Sequence, residues 1–347
     1  MRDVSPITAI AALLTWIRKI FLAAAVVVIS TMTASANPER WKVEGWAKTD
    51  FTKSAIPFGE ILSGGPPKDG IPAIDKPVFE ALAKLTAKQT PKTTAPVISL
   101  EINGDARAYP LRVLTWHEIA NDTVGGIPVT VTYCPLCNAA IVFDRRLNGR
   151  VLDFGTSGKL RHSDLVMYDR QTESWWQQFS GEAIIGTLTG KSLKIIPSRL
   201  ESFGEFAARF PNGRLLVPTD TAQRPYGTNP YVGYDTAKAP FLYRGAMPKG
   251  ISPMARVIVF SKSATPTAVA LQLLREKREL KVGPVRLTWR AGQTSALDTS
   301  DIDKGRDIGT VTAQKLDAKG TWIDIAYDVT FAFVFHAFHP DQPIRTR

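Results

Sequence analysis

Cysteine and histidine are scarce in this chain, with two and four residues in 347. With no other cysteine to recruit, any thiol chemistry or thiolate metal site rests on Cys134 and Cys137. Runs of like charge are missing too. The 43 basic residues are scattered rather than gathered into a tract or a basic helix, which argues against nucleic acid as a partner. The FGTSG loop at Phe154–Gly158 lacks the Gly-Lys-Ser/Thr ending of a Walker motif. No Ser-His-Asp grouping with a nucleophile-elbow pattern is present. The apolar run Ile20–Ile29 is about half the roughly 20 residues that a membrane-spanning helix needs.

What is present describes a folded, exported protein. An apolar content of 44% suffices for one large core or two moderate ones, and it excludes disorder. Arg18 and Lys19 precede the apolar run, and Ala34-Ser35-Ala36 is a small-residue cleavage site. Residues 1–36 therefore read as an export signal cut after Ala36, giving a periplasmic or secreted protein; a retained anchor is the alternative. Removing the signal leaves 40 basic against 31 acidic side chains, or +9, a surface that favours a small anionic ligand or lipid head groups at a membrane surface. Export also places the thiols where they pair, bind metal, or are held reduced by a periplasmic thiol partner.

Residues 37–90 read as a wrapping arm, because GGPPKDGIP at Gly64–Pro72 forbids long regular elements. Pro77 is expected to start a short helix with Val78, Phe79, Leu82 and Leu85 on one face. From residue 91 the pattern is β. VISLEI, Asn103-Gly104 and ARAYPL form a hairpin signature. Leu111–Asn121 is expected to be a short helix carrying Trp116, His117, Glu118 and Asn121. The strand IPVTVTY then leads into CPLC, and AAIVF, Asn148-Gly149 and RVLDF give two more strands around a turn. The CxxC thus sits in a knuckle between strands, which disfavours a thioredoxin fold, where the second cysteine lies on a helix.

An ordered set of matches points to an internal repeat. Val97-Ile98, Ala108, Leu111 and Leu114 recur as Val257-Ile258, Ala268, Leu271 and Leu274. Pro128-Val129, Thr132, Tyr133 and Ala140 find Pro284-Val285, Thr288, Trp289 and Ala296. IGTLT at Ile185 returns as IGTVT at Ile308, and Phe206, Ala208 and Pro211 match Phe335, Ala337 and Pro340. The expected fold is mainly β (α+β): two related β-rich units from an internal duplication, with short helices. The first unit spans 91–218, a linker 219–250, and a degenerate second unit 251–347. The second has Arg290 and Gln293 in place of the cysteines, so the chemistry is expected in the first.

A Cys134–Cys137 disulfide would close so small a loop that it contributes only about 2 kcal/mol. A structural zinc site contributes on the order of 10 kcal/mol but needs four ligands, and the knuckle supplies two. The others would come from His117, His162 or a carboxylate such as Glu118, Asp122 or Asp164, with copper(I) or zinc as the metal. His336 and His339 form an HxxH between aromatics and read as core or surface histidines. In FGTSG, Gly155, Ser157 and Gly158 either present N–H groups to an anion or make a tight turn. Asp169-Arg170 reads as an ion pair or turn cap, or Arg170 as a clamp on a substrate carboxylate. Trp175 and Trp176 alternate faces on a strand, one packing in the core and Trp176 walling a pocket.

HEIAND at His117–Asp122, VTYCPLC, FGTSG, SDLVMYDRQTESWW and GGPPKDGIPAID together resemble the bacterial domain of unknown function 3179 family, over nearly all of the chain after residue 36. The resemblance implies an exported or membrane-associated setting and carries over no reaction. His117, Glu118, Asn121, Asp122, Cys134 and Cys137 fit its pattern, whereas His162 stands where asparagine is more usual. Three readings follow. In a thiol/disulfide redox protein Cys134 attacks, Cys137 resolves, and His117 with Glu118 moves protons. In a copper or zinc binding protein Cys134, Cys137, His117 and His162 hold the metal. In a structural module the cysteines simply pack.

Overall fold

Asn103 and Gly104 adopt φ of +52° and +82°, the left-handed pair that a two-residue hairpin turn demands. They fold the strand Pro96–Ile102 back on Asp105–Pro110, as the sequence pattern requires. Asn148 and Gly149 do the same between Arg146–Leu147 and Arg150–Val151. The computed structural model describes residues 37–218, 224–261 and 265–347; the export signal expected over 1–36 lies outside the described residues. Pro38–Arg347 form one compact unit.

The protein is mainly β, with five sheets of four or five strands among the described residues, in an arrangement resembling a five-bladed propeller. The blades are not simple meanders. In the first sheet the hairpin is flanked by Arg199–Ser202 on one side and, on the other, by Arg214–Val217 running parallel, with Val78–Ala81 outside it. A second sheet runs Ile119–Val124, Ile127–Cys134, Ala139–Asp144 and Ile195–Ile196. A third places Phe154–Arg161, Asp164–Asp169, Trp175–Gln177 and Glu182–Ile185 beside Ile61–Ser63 from the arm. Towards the C-terminus, Arg256–Ser261 and Pro266–Ala270 are flanked by Tyr327–Phe331 and by a parallel Ile344–Arg345. Glu279–Val282, Val285–Arg290, Thr310–Leu316 and Trp322–Asp324 complete the set.

Apart from the outer Val78–Ala81, the first sheet has the strand order and the pattern of parallel and antiparallel pairing of the fourth. Ser99 faces Ala108 in one and Val259 faces Ala268 in the other, at the positions matched by sequence. The match between Ile185 and Ile308 is not so placed. Ile185 ends a strand of the third sheet, whereas Ile308 lies in the connection before Thr310–Leu316.

Three local expectations are corrected. Val78–Ala81 is a strand paired with Arg214–Val217, and only Leu82–Lys84 turns, as a 3₁₀ segment, because unpaired backbone at that edge finds partners in a ladder. The helix after Pro110 lasts only from Leu111 to Leu114; Glu118 at φ +58° ends the helical path and Asn121 and Asp122 continue as strand. Trp175 and Trp176 are both fully buried. Trp175 is enclosed by Trp41, Trp46 and Phe51 of the arm, and Trp176 packs edge-on to Phe154.

The arm is held by more than apolar contact. Lys68 lies over the Trp46 ring at 4.5 Å and pairs with Glu173 at 2.8 Å, and Glu173 also accepts from the Lys48 N–H. One core cluster wraps the knuckle itself, joining Cys134, Cys137, Phe154, Met167 and Trp176 to Phe331 and Phe333 from near the C-terminus. That packing draws the site into the interior.

Candidate functional site

Cys134 ends one strand and Ala139 begins the next, so CPLC is a tight turn, with Asn138 at φ +53° and the Cys137 N–H donating to the Cys134 carbonyl at 3.2 Å. Asn138 clamps the turn by donating to the Val329 carbonyl at 2.6 Å, and Thr330 donates to the Cys137 carbonyl at 2.7 Å. The turn holds both thiols on one side. They are free and buried.

Opposite them lies a second turn. His162 and Ser163 connect Phe154–Arg161 to Asp164–Asp169 with φ of +55° and +67°, a conformation usually left to glycine or asparagine. It aims the Ser163 carbonyl at the sulfurs, and Cys137 Sγ and Cys134 Sγ donate to it at 3.5 and 3.9 Å. The next residue, Asp164, completes the group: a carboxylate oxygen of Asp164 and the two sulfurs lie within 4.8 Å of one another. Asp164 is fully buried. Its Oδ2 accepts from Gln177 Nε2 at 2.5 Å and from the Phe179 N–H at 2.9 Å, while its Oδ1 meets no donor stronger than the two thiols.

Electrostatics mark the cluster as short of positive charge. Burial pushes both thiols above their ordinary values, Cys137 the more strongly. Burial also raises Asp164 to about 6, despite the hydrogen bonds from Gln177 and Phe179 and the weaker ones from the two thiols. Glu118 is driven to about 8, first by burial and then by the charge of Asp164, with no hydrogen bond to offset either. Asp328, whose Oδ1 accepts from the Ala140 N–H at 2.9 Å, is raised to about 7 by burial. Tyr231 and Tyr234 from the 224–250 segment pack against the same core, and the Ser163 hydroxyl donates to the Phe241 carbonyl.

The sequence-derived candidates separate under this geometry. Cys134, Cys137 and Asp164 come together, and Glu118 couples to them electrostatically. His117 and His162 are not part of that group. Both ring nitrogens of His117 are engaged, Nδ1 by the Pro72 carbonyl and Nε2 by the Tyr226 hydroxyl, each at 2.7 Å. His162 packs edge-on to Tyr243 and Phe338 and lies 3.4 Å from Glu60. Asp122 is spent on Arg107 and Tyr109.

The FGTSG residues hold the arm. A Cβ on Gly158 (φ +70°) would lie 2.0 Å from the Pro66 carbonyl oxygen, and one on Gly155 would meet Asp69 and Tyr168 at 2.5 and 2.6 Å, so the space an anion would need is filled by chain. The Ser157 hydroxyl donates to the Val166 carbonyl. Asp169 caps the Thr172 turn and accepts from Trp176 Nε1 at 3.0 Å, while Arg170 pairs with Asp75 of the arm. Sequence reasoning left Asp328 and the His162–Ser163 turn unnoticed. The first has no local signal; the second is a two-residue gap between alternating strands.

A family model described as Protein of unknown function (DUF3179) matches residues 68–342. No curated protein and no solved structure matches the chain.

Proposed function

The chain belongs to the DUF3179 family, and from that premise we propose that it is a metal-binding protein whose ion sits on Cys134, Cys137 and Asp164. The observation that carries this reading is a fully buried Asp164 whose Oδ1 meets no donor stronger than the two free thiols beside it. A buried acceptor so poorly partnered costs up to roughly 1–3 kcal/mol. Three ionised ligands in that interior would be untenable without a cation, and with one they become its ligands. Glu118 adds a buried carboxyl of the right sign coupled to Asp164 electrostatically, and the donor set itself is two sulfurs with carboxylate oxygen. Such a mixed set suits zinc better than copper(I), which prefers thiolate and imidazole without carboxylate.

The redox reading is weaker on the same grounds. Attack needs an accessible thiolate, and burial here disfavours both access and ionisation. Export of the mature chain, with metal acquired outside the cytoplasm, belongs to the proposal, as does descent of the first and fourth sheets from one duplicated unit, which their common strand order supports.

Metal analysis and thiol counting on protein purified under reducing conditions and incubated with zinc test the site. One zinc per chain is expected, lost in Asp164→Asn and in the Cys134→Ser/Cys137→Ser pair while both variants stay folded. Full-length protein that takes up no stoichiometric metal, with thiols that cycle readily to a disulfide, would overturn it in favour of redox chemistry.

A further inference from the structure

A second feature stands apart from the thiol cluster. A cleft of about 1030 Å³ opens between the segments around Asp235 and Gly250–Arg256, the helix Leu271–Lys277 and the Arg306–Ile308 turn. Four guanidinium groups line it: Arg256, Arg275, Arg278 and Arg306. Its apolar wall includes Ile251, Met254, Leu271 and Ile308. Clefts of roughly 300–1,000 Å³ with an apolar wall and a few convergent polar groups are the usual form of a small-molecule site.

Arg256 is the unusual member. Only 7% of it is exposed, its Nη2 donates to Asp235 and to Ser295 Oγ at 2.8 Å, and its Nε is buried with no partner. The carboxylate it relies on is shared, because Arg306 Nη1 donates to the other oxygen of Asp235 at 2.9 Å. The acids that line the cleft have other engagements. Asp307 is taken up by the N–H groups of Gly292, Gln293 and Gly309, and Glu276 accepts from Gln272. Arg278 lies over Trp289 at 4.4 Å, from a backbone φ of +65° that a non-glycine residue rarely holds. Burial pulls the Arg256 guanidinium below its ordinary value even with Asp235 beside it. Asp235 serves both Arg256 and Arg306, and Arg306 also reaches Asp298 at 3.1 Å. The four guanidinium groups on the wall outnumber its three carboxylates, so the cleft has positive charge and an idle buried donor to spare for an anion.

We propose that this cleft binds an organic oxyanion, a phosphate or carboxylate head carried on an aliphatic body, with the head against the arginines and the body along Ile251, Met254 and Leu271. The same chemistry is offered by a soluble metabolite and by an anionic lipid, and the net charge of the chain favours either. The site is independent of the metal reading, since none of the residues that line it belongs to the thiol cluster.

Calorimetric titration of the full chain with decyl phosphate, and separately with inorganic phosphate, tests it. Decyl phosphate is expected to saturate at one equivalent and to bind at least tenfold more tightly than inorganic phosphate. Gln272 is exposed at the rim, so Gln272→Trp should roof the cleft and abolish binding without disturbing the core; Arg275→Ala/Arg278→Ala should weaken it about tenfold, as loss of charge-assisted contacts does. Flotation with phosphatidylglycerol vesicles separates the two sources: co-flotation lost in Gln272→Trp assigns a lipid, and its absence beside tight decyl phosphate binding assigns a soluble anion. No saturable binding of decyl phosphate, or binding at wild-type affinity in either folded variant, overturns the site.

Discussion

Replacing Asp328 by asparagine should make the metal-free protein more stable, and only above the carboxylate range. Asp328 is 6% exposed, with Oδ1 accepting from the Ala140 N–H and Oδ2 buried without a partner. Asparagine keeps the acceptor and its shape while removing the charge. In the folded protein the group titrates at about 7 rather than 3.8, because burial and, secondarily, Asp164 oppose its ionisation. At about 1.4 kcal/mol per unit, a rise of roughly three units costs the native state up to about 4 kcal/mol once both states are ionised. Below the unfolded value both states are protonated and the cost vanishes. As pH rises, the unfolded chain ionises first and the wild type loses ground, until the loss levels off above the folded value. Urea unfolding of the two proteins with a chelator, at about pH 5 and about pH 8, measures this. At the lower pH, where the unfolded carboxyl is already ionised, the Asp328→Asn variant should gain about 1.5 kcal/mol, and at the higher pH it should gain about 4 kcal/mol with unchanged m. A difference that is the same at both pH values, or a variant less stable at the higher one, would refute the reasoning.

Three further outcomes are expected. Gly158→Ala should destabilise by more than about 2 kcal/mol and expose the arm to limited proteolysis, because the new methyl meets the Pro66 carbonyl at a left-handed φ. Trp176→Phe should cost about 1 kcal/mol in chemical denaturation through loss of the hydrogen bond to Asp169, and Trp176→Ala about 3–5 kcal/mol through the cavity. Lys68→Met should destabilise more than the Lys68→Met/Glu173→Gln double replacement, since the single change strands a largely buried carboxylate; equal losses would show that the pair contributes only packing.

The local features were legible where backbone chemistry is written in a short stretch. Asn103-Gly104, Asn148-Gly149 and the alternation of IPVTVTY fix two hairpins and put CPLC between strands. The side of the knuckle facing the thiols was not legible. His117 drew attention as an imidazole near a CxxC, but the helix expected to carry it ends at Leu114, short of it, and the left-handed Glu118 leaves that carboxylate, not the imidazole, coupled to Asp164. Val78 and Phe79 show how context overrides a helical pattern: their partner strand lies more than a hundred residues later. Asp164, Asp328 and Arg256 acquire their character from burial, which no window of sequence expresses.

The first sheet has a consequence for the order in which the protein can be assembled. Its edge strand Val78–Ala81 has no ladder until Arg214–Val217 has been synthesised and has settled beside Asp105–Pro110. A ribosome midway along the chain therefore holds an arm that cannot dock and a half-built β surface. Closure of so distant a pairing carries a loop-entropy cost, which slows folding. Such a chain spends its early life open to whatever chaperone or conducting channel binds extended polypeptide, and truncations ending near residue 200 should accumulate in that state.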